Sequence, residues 1–192
     1  EKVHKEDARD SRKIARSLRN GDLTPVYVPS FKTLEDRTLV RTRSMLVKDL
    51  ARNKNRIKSF LYFHGIEIPQ CLAQSRWTKR FIDWLDAIEM PEKSSKSSLE
   101  VIVLSSKHLR ASVLQVTRQI KELSGTEAYN QQVILLKSIP GIGLLTAMTL
   151  LTELETINRF EKFDKLCSFI GLVPSTHSSG DKELIGDITR RG

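Results

Sequence analysis

The sequence predicts a mainly α-helical protein, and three observations support this fold class. Apolar residues recur at helical spacing, and in two stretches, 33–64 and 99–123, they follow a heptad pattern. Glycine and proline fall outside these two stretches, as helix boundaries require. The composition, with 39% hydrophobic and 29% charged residues, is typical of a folded globular protein. We expect a helical coiled-coil arm at 22–125, followed by a helix-hairpin-helix domain at 126–192.

Residues 1–20 are predicted to form one basic helix, with Ile14 and Leu18 on its inner face and Gly21 at its end. An extended connector follows over residues 21–31, where two prolines restrict the backbone.

Two acidic residues lie near the start of this helix. Asp7 and Asp10 are three positions apart, so both carboxylates are expected on one side of the helix. A pair so placed can share a hard divalent cation such as Mg²⁺. Acids in a first helical turn can also simply complement the helix dipole, and the residues alone leave both interpretations open.

A long helix over 33–64 is predicted to form one half of the arm. Its seam positions are Leu39, Arg43, Leu46, Leu50, Asn53, Ile57, Phe60 and His64. A polar Asn53 in such a seam costs stability but fixes the register. Between Arg37 and Lys58 there are eight basic residues and one acid, so one edge of the helix is a basic strip. The candidate nucleic-acid contacts here are Arg41, Arg43, Lys54 and Arg56.

The second half of the arm is predicted over 99–123. A helix at about 76–89 and a polar linker at 90–96 precede it, and Ser97–Glu100 matches a capping box. Its seam residues are Ile102, Ser106, Leu109, Val113, Val116, Ile120 and Leu123. The two seams can form a hairpin within one chain, or their spare apolar edges can pair with a second subunit. Trp77 and Trp84 could stack on nucleotides, but tryptophans on a short helix are more often core.

The run Ile139-Pro140-Gly141-Ile142-Gly143 joins two apolar helices, predicted at 129–138 and 144–155. This pattern predicts a helix-hairpin-helix: the glycines permit a tight turn, and the next helix offers free N–H groups to a phosphate. Such hairpins contact the nucleic-acid backbone without reading its sequence. Pro140, Gly141 and Gly143 are therefore candidate contacts, and an ordinary turn is the alternative.

The last stretch is predicted to hold a helix from Phe160 to Ile170 that Gly171 ends. A polar turn with Ser178, Ser179 and Gly180 at its tip follows. A serine beside glycine on a sharp turn can be presented to a bulky polymer. On composition alone, a solvated loop is the commoner interpretation.

Positive charge is concentrated in the first third of the chain. Residues 1–66 hold 16 Lys/Arg against 8 Asp/Glu, whereas the remainder of a chain of net charge +9 is nearly balanced. Such a surplus favours a polyanionic partner. Cys71 and Cys167 form no metal-binding pattern, and the apolar runs are too short to span a bilayer. We expect a cytoplasmic protein with reduced thiols and no membrane contact.

The last third of the chain resembles the C-terminal domain of bacterial insertion-sequence transposases, also described as bridge-RNA-guided DNA recombinases. The matching residues are Ile139 to Gly143, Phe160, Gly171 to Pro174, His177 to Gly180, Lys182, Gly186, Ile188-Thr189 and Arg191-Gly192. Lys5, Asp7 and Asp10, followed by a basic helix, resemble the end of that family's N-terminal domain, which is similar to Holliday-junction resolvases.

The resemblance implies a role for each end of the chain. Residues 1–21 would be the tail of a ribonuclease-H-like DEDD domain in which Asp7 and Asp10 help to bind Mg²⁺. The other two acids of that domain would lie outside this chain, which is then a piece of a longer protein. Ser179 would be the nucleophile that attacks a DNA phosphate. The chain departs from the family by carrying acids at Asp181, Glu183 and Asp187, where basic residues are common.

The expected function is DNA transposition by cutting and rejoining strands through a covalent serine–DNA intermediate. The implied partners are DNA, a structured guide RNA and further copies of the chain, as a dimer or tetramer, and the fragment alone is expected to be inactive. One alternative is a non-catalytic nucleic-acid-binding and oligomerisation module, such as a degenerate transposase. Another is a structural oligomerisation protein, which the heptads favour but the hairpin and the basic first third do not.

Overall fold

A computed structural model describes residues 7–23, 25–73, 77–179 and 182–188, and this part of the chain is mainly helical, as predicted. The helices are α1 (Asp7–Asn20), α2 (Phe31–Phe63), α3 (Gln70–Ala73), α4 (Lys79–Ala87), α5 (Lys93–Ser124), α6 (Asn130–Lys137), α7 (Leu144–Leu154) and α8 (Phe163–Phe169), with a 3-10 helix at Ile157–Arg159. Two strands follow, β1 (Pro174–Ser179) and β2 (Lys182–Ile188). None of the helices described is long and apolar enough to cross a lipid bilayer.

The chain divides into two compact units: Phe31–Thr156, and a second unit made of the residues before and after it. The predicted domain bounds stay predictions. In the first unit, α2 and α5 form a long antiparallel hairpin, here called the arm. Val40 of α2 and Ile120 of α5 belong to one hydrophobic core, and Ile57 of α2 and Val103 of α5 belong to a second hydrophobic core. At 1.5 Å per residue, the 33 residues of α2 extend about 50 Å.

The arm uses the two predicted seams within one chain. All the seam residues predicted for α2 and α5 are buried or half-buried. Val40 and Leu61 of α2, next to the predicted positions, are also buried, with 5% and 2% of their surface exposed. The arm is thus the intramolecular hairpin, and pairing with a second subunit stays a prediction.

The tip core closes the end of the arm where α2 ends and α5 begins. Its buried residues are Ile57, Leu61, Leu72, Phe81, Leu85, Ile88, Leu99 and Val103. Gly65 ends α2 with a φ of 65°, and the next N–H, of Ile66, donates to the carbonyl of Leu61 at 2.9 Å. Trp77 and Trp84 are half-buried and pack on Phe81 with ring centroids 5.2 and 5.4 Å away, so both rings lie against this core and not within it.

The base core lies at the other end of the arm, where α6 and α7 pack on α2 and α5. Its buried residues are Val40, Ile120, Tyr129, Val133 and Met148. The Tyr129 hydroxyl donates to Asp36 Oδ2 at 2.8 Å, which links the start of α6 to α2.

Polar contacts fix the end of α7 against the first turns of α2. The half-buried guanidinium of Arg37 donates to the carbonyl of Thr152 at 2.9 Å and to that of Glu153 at 3.3 Å. Glu155, which follows α7, has φ 57° and ψ −61° and is the central residue of a γ-turn. In this turn, Thr156 N–H donates to Leu154 O at 2.7 Å.

Two predicted helix starts in the tip are wrong. Helix α5 begins at Lys93, so residues predicted as polar linker and as capping box lie inside it. Its extension is stabilised by Lys96, whose ammonium donates to the carbonyls of Asp86 and Ile88 at 2.7 Å and so joins α5 to the end of α4. Helix α4 begins at Lys79, three residues later than predicted, because Thr78 is its N-cap and accepts from Phe81 N–H.

In the second unit, Gly21 ends α1 as predicted, with a φ of 74°. The predicted burial of its apolar face is wrong: Ile14 is 61% exposed and Leu18 is 69% exposed. Among the described residues, nothing covers this stripe, so an amphipathic pattern did not produce burial. Elsewhere in this unit, the Arg159 guanidinium carbon lies 4.5 to 4.6 Å from the ring centroids of Tyr27, Phe160 and Phe169.

Candidate functional site

The candidate nucleophile lies on a β-hairpin that follows α8. Helix α8, Phe163–Phe169, is shorter than predicted. Gly171 follows it with a φ of 76°, and Leu172 N–H donates to Cys167 O at 2.8 Å. The predicted polar turn at Ser178 and Ser179 is wrong for both serines, because they are the last two residues of β1. The strand was not predicted because the sequence of β1 is polar, whereas that of its partner β2 is more apolar. Gly180, predicted in the same turn, lies outside the described residues.

The hairpin has a defined antiparallel register. Ser179 pairs with Lys182, Ser178 with Glu183 and His177 with Leu184, with an irregularity nearer the start of β1. Because alternate strand residues fall on opposite faces, positions 177 and 179 share one face of this ribbon and position 178 belongs to the other. The two adjacent serines therefore occupy different positions relative to any one substrate.

The candidate metal ligands Asp7 and Asp10 lie in the first turn of α1, as predicted. They are exposed and three residues apart, and the Ser11 hydroxyl donates to the Asp7 carbonyl at 2.7 Å. No group of three or more His, Cys, Asp or Glu side chains suited to a metal occurs in the part of the chain that the structure describes. Two carboxylates fit a hard cation but form only part of its usual set of ligands.

The run from Pro140 to Gly143 forms a tight, exposed turn between α6 and α7. Ile142 N–H donates to Ile139 O at 3.1 Å, and Gly141 has a φ of 89°, a combination typical of a type II turn with proline before glycine. Gly143 is different: it is the N-cap of α7, its φ is −89°, and an added Cβ would meet no atom within 4 Å.

The start of α7 leaves several backbone N–H groups outside its helical hydrogen bonds. Its first intrahelical bond runs from Ala147 N–H to Gly143 O at 2.9 Å. The N–H groups before Ala147 thus precede the helical ladder and are of the kind that bind anions. Gly141, Gly143 and Thr146 are exposed around them. Their role in nucleic-acid binding stays a prediction.

The four candidate basic residues of α2 have different surroundings. Arg41 donates to both carboxylate oxygens of Glu153, and Arg43 donates to the Thr117 hydroxyl of α5 at 2.8 Å. Lys54 lies 5.2 Å from the ring centroid of Trp77. Arg56 is exposed in a shallow groove that also contains Phe63. The partners of Arg41 and Arg43 are more than 70 residues away in sequence, which no local pattern could identify.

Comparison with known proteins identifies related domains at both ends of the chain. The family described as "Transposase IS116/IS110/IS902 family" matches residues 134–192, and a DEDD domain of IS110-type elements, described as "Transposase", matches residues 1–65. The match at 134–192 includes the turn at Pro140–Gly143 and the β-hairpin, and the match at 1–65 includes Asp7, Asp10 and the whole of α2.

Curated relatives carry the same kind of name. The transposase for insertion sequence element IS1111A of Coxiella burnetii is 30% identical over 195 residues, covering 100% of this chain and 51% of that protein. The putative transposase y4qE of Sinorhizobium fredii is 29% identical over 188 residues, covering 98% of this chain and 44% of that protein. This chain thus spans about half the length of these relatives. It carries domains of the IS110/IS116 family of insertion-sequence transposases.

Proposed function

We propose that the whole protein is a DNA transposase that cuts and rejoins strands, with Ser179 as its nucleophile. The observation that carries the proposal is the order of matched domains: a DEDD domain at residues 1–65 and a transposase domain at residues 134–192. Ser179 lies inside the match at 134–192 and is the last residue of β1. DNA is the substrate that this class of enzyme requires.

The chemistry is a transesterification at phosphorus. The Ser179 oxygen attacks the phosphate, an Oγ–P bond forms, and the P–O bond to the leaving strand breaks. The leaving oxygen takes up a proton, while the serine proton passes to a base. The covalent serine–phosphate ester conserves the energy of the broken bond, so that a strand hydroxyl can later reverse the step and reseal DNA.

Two neighbours on the hairpin are candidates to assist Ser179. His177 is two positions earlier on the same strand, so both positions share a face, and imidazole is suited to accept a proton near neutral pH. Lys182 is the cross-strand partner of Ser179. A cation at that position would stabilise the negative charge that develops on the attacked phosphate.

We propose that Asp7 and Asp10 would bind the metal together with ligands outside this chain. When bound there, Mg²⁺ would polarise the phosphate or stabilise the leaving oxygen. The two aspartates supply the oxygen donors that a hard cation prefers, from one side of α1.

Nucleic-acid binding is proposed for the turn at Pro140–Gly143 and for the basic strip of α2. The exposed N–H groups at the start of α7 suit a backbone phosphate. The surplus of basic residues before position 67 suits a long polyanion, which we propose includes a structured guide RNA as well as DNA. A homo-oligomer, dimer or tetramer, would bring metal and serine sites of different subunits together.

The test is adduct formation by the full-length protein with its RNA, Mg²⁺ and end-labelled DNA. Wild type should give a protein–DNA adduct that survives denaturing electrophoresis. Ser179→Ala should abolish the adduct while DNA binding, measured by fluorescence anisotropy, is unchanged. Ser178→Ala is the matched control and should retain the adduct.

Two results would contradict the proposal. An adduct that persists in Ser179→Ala but disappears in Ser178→Ala would assign the chemistry to the other serine. A wild-type protein that binds DNA without any adduct or strand transfer would instead favour the non-catalytic binding module.

A further inference from the structure

A cavity of about 690 Å³ opens beside the middle of the arm, between α2, α5 and the start of α4. Its volume falls in the range of small-ligand sites. The lining combines an aromatic ring, Trp77, with the aliphatic side chains of Ile82 and Leu114. Leu114 is 51% exposed, so the apolar wall is accessible to solvent. This wall is not used by the proposed chemistry.

Cations outnumber acids around this cavity. Its charged lining residues are Lys54, Lys79, Lys107 and Arg110, against the single carboxylate of Asp83. Lys107 is already paired with Asp86 of α4 at 2.6 Å, so its charge is largely balanced.

Lys54 carries positive charge that its surroundings do not balance. Burial lowers the pKa of Lys54, and repulsion from Arg110 and Lys58 lowers it further. An anion placed in the cavity would relieve that repulsion. Lys54 is also close to the aromatic wall, since its Nζ is 5.2 Å from the centroid of the Trp77 ring.

The position of Trp77 is fixed by several contacts. Arg110 donates from Nη1 to the Trp77 carbonyl at 3.0 Å, and the indole packs edge-on against Phe81 with centroids 5.2 Å apart. Trp77 has a φ of 68°, an unfavourable conformation for a bulky residue that needs such support. The ring is thus placed at the cavity wall before any ligand arrives.

We infer that this cavity holds one unpaired nucleotide of a single-stranded nucleic acid, with its base against the Trp77 wall and its phosphate near Lys54 and Arg110. Aromatic rings stack on bases of any sequence, and adjacent cations bind the backbone phosphate. The site rests on the proposed nucleic-acid function and adds an unpaired strand to its substrates. Both DNA and RNA carry this chemistry.

The test uses fluorescence of Trp77 in the full chain with Trp84→Phe, which leaves Trp77 as its single tryptophan. Oligo(dT) and oligo(U) should quench that fluorescence. The oligonucleotide with the lower Kd shows whether the cavity binds single-stranded DNA or RNA. A blunt duplex of equal length and the free mononucleotides are the comparison ligands. Anisotropy of labelled oligonucleotides reports binding independently of the quenching.

A charge-matched pair of variants tests the phosphate contact. Lys54→Met should raise the Kd for the single strand by about 5-fold or more, whereas Lys58→Met removes the same charge outside the cavity and should change it less. Circular dichroism checks that both variants fold.

The outcomes separate this inference from the proposed function. Single strands that bind by anisotropy without quenching Trp77 would overturn the cavity site and leave the proposed function standing. Equal quenching by the blunt duplex would overturn the assignment to unpaired nucleotides. Mononucleotides that bind as tightly as the oligonucleotides would overturn the assignment to a polymer. Absence of binding by every nucleic acid would contradict the proposed function itself.

Discussion

Arg41 and Glu153, 112 residues apart in sequence, form a bidentate salt bridge. Nε and Nη2 of Arg41 each lie 2.7 Å from a carboxylate oxygen of Glu153. The carboxylate raises the pKa of the Arg41 guanidinium, chiefly through this hydrogen bond. The contact joins α2 to the end of α7, one turn of helix away from where Arg37 reaches the same segment. It gives a residue expected to contact nucleic acid a role within the fold.

The two arginines should differ in their contribution to stability. Arg37 is the more buried, with its side chain 14% exposed against 65% for Arg41. Arg37→Met leaves two carbonyls of α7 without their donor and should lower the free energy of unfolding by about 1–3 kcal/mol. Arg41→Met should cost less than about 1 kcal/mol, because an exposed ion pair is largely screened. Urea unfolding measures both, and a larger loss for Arg41→Met would contradict this ranking.

Asn53 should limit the stability of the arm. It is buried, and its Oδ1 accepts no hydrogen bond from any residue that the structure describes. Asn53→Leu removes that unsatisfied acceptor at similar volume and should raise the free energy of unfolding by about 1 kcal/mol or more. Asn55→Leu, two residues further along at an exposed position, is the control. If the urea midpoint of Asn53→Leu were unchanged or lower, the polar group would have a stabilising role.

Alanine substitutions of the two glycines in the α6–α7 turn should distinguish an effect on folding from an effect on nucleic-acid binding. Gly141 has a φ of 89°, so Gly141→Ala strains the backbone and should lower the melting temperature. Gly143 has an ordinary φ and open space around it, so Gly143→Ala should lower the melting temperature less, only by the small cost of alanine at an N-cap. Its added methyl group would keep a phosphate from the N–H groups of α7 and so weaken nucleic-acid binding several-fold. Unchanged affinity of Gly143→Ala would mean that this turn does not contact the ligand.

Tyr129 should make the fold sensitive to alkali. Burial, followed by its bond to Asp36, raises the pKa of Tyr129 above its ordinary value near 10. Above about pH 10, the unfolded chain loses this proton and the folded chain keeps it, so unfolding releases a proton and stability falls as pH rises. Below that pH the contribution is fully present.

Tyr129→Phe should therefore show a shallower loss of stability between pH 10 and 11.5, measured by urea unfolding at several pH values. Tyr62→Phe, which alters an exposed tyrosine, is the control. An identical slope for Tyr129→Phe and wild type would mean that this phenol does not govern the alkaline limit.

Self-association should use the outer edge of α5 and not its seam, because the seam already contacts α2. Val101 and Leu104 are exposed by 63% and 51%, three residues apart on one edge. Val101→Asp with Leu104→Asp should lower the oligomeric mass in sedimentation without changing the helical signal. Val116→Asp places a charge against the base core and should instead destabilise the fold. A double variant that keeps the wild-type mass would place the subunit contact elsewhere.

The sequence predicted most of the helices because helix formation follows a local, periodic pattern. Gly21, Gly65 and Gly171 end their helices as expected, since a positive φ at a helix end favours glycine. The hairpin containing Ser179 was missed because its strand is polar and is stabilised by pairing with β2, which no pattern within β1 reveals. Lys96 and Arg37 act on carbonyls of other helices, so their roles depend on tertiary packing. The predicted ligands Asp7 and Asp10 are close in sequence, which is why their shared side of α1 was predictable.

The distribution of burial along the arm has a consequence for its motions. Asn53 is the one buried residue of α2 between Val40 and Ile57. In the same way, Ser106 is the one buried residue of α5 between Val103 and Ile120. The middle of the arm thus holds few buried apolar contacts, whereas each end has its own core. Isolated helices fray from their ends, but here amide hydrogens should exchange fastest near the centre and slowest toward both ends. The tip can then open as a separate cooperative unit while the base stays folded, with the centre of the arm acting as the hinge.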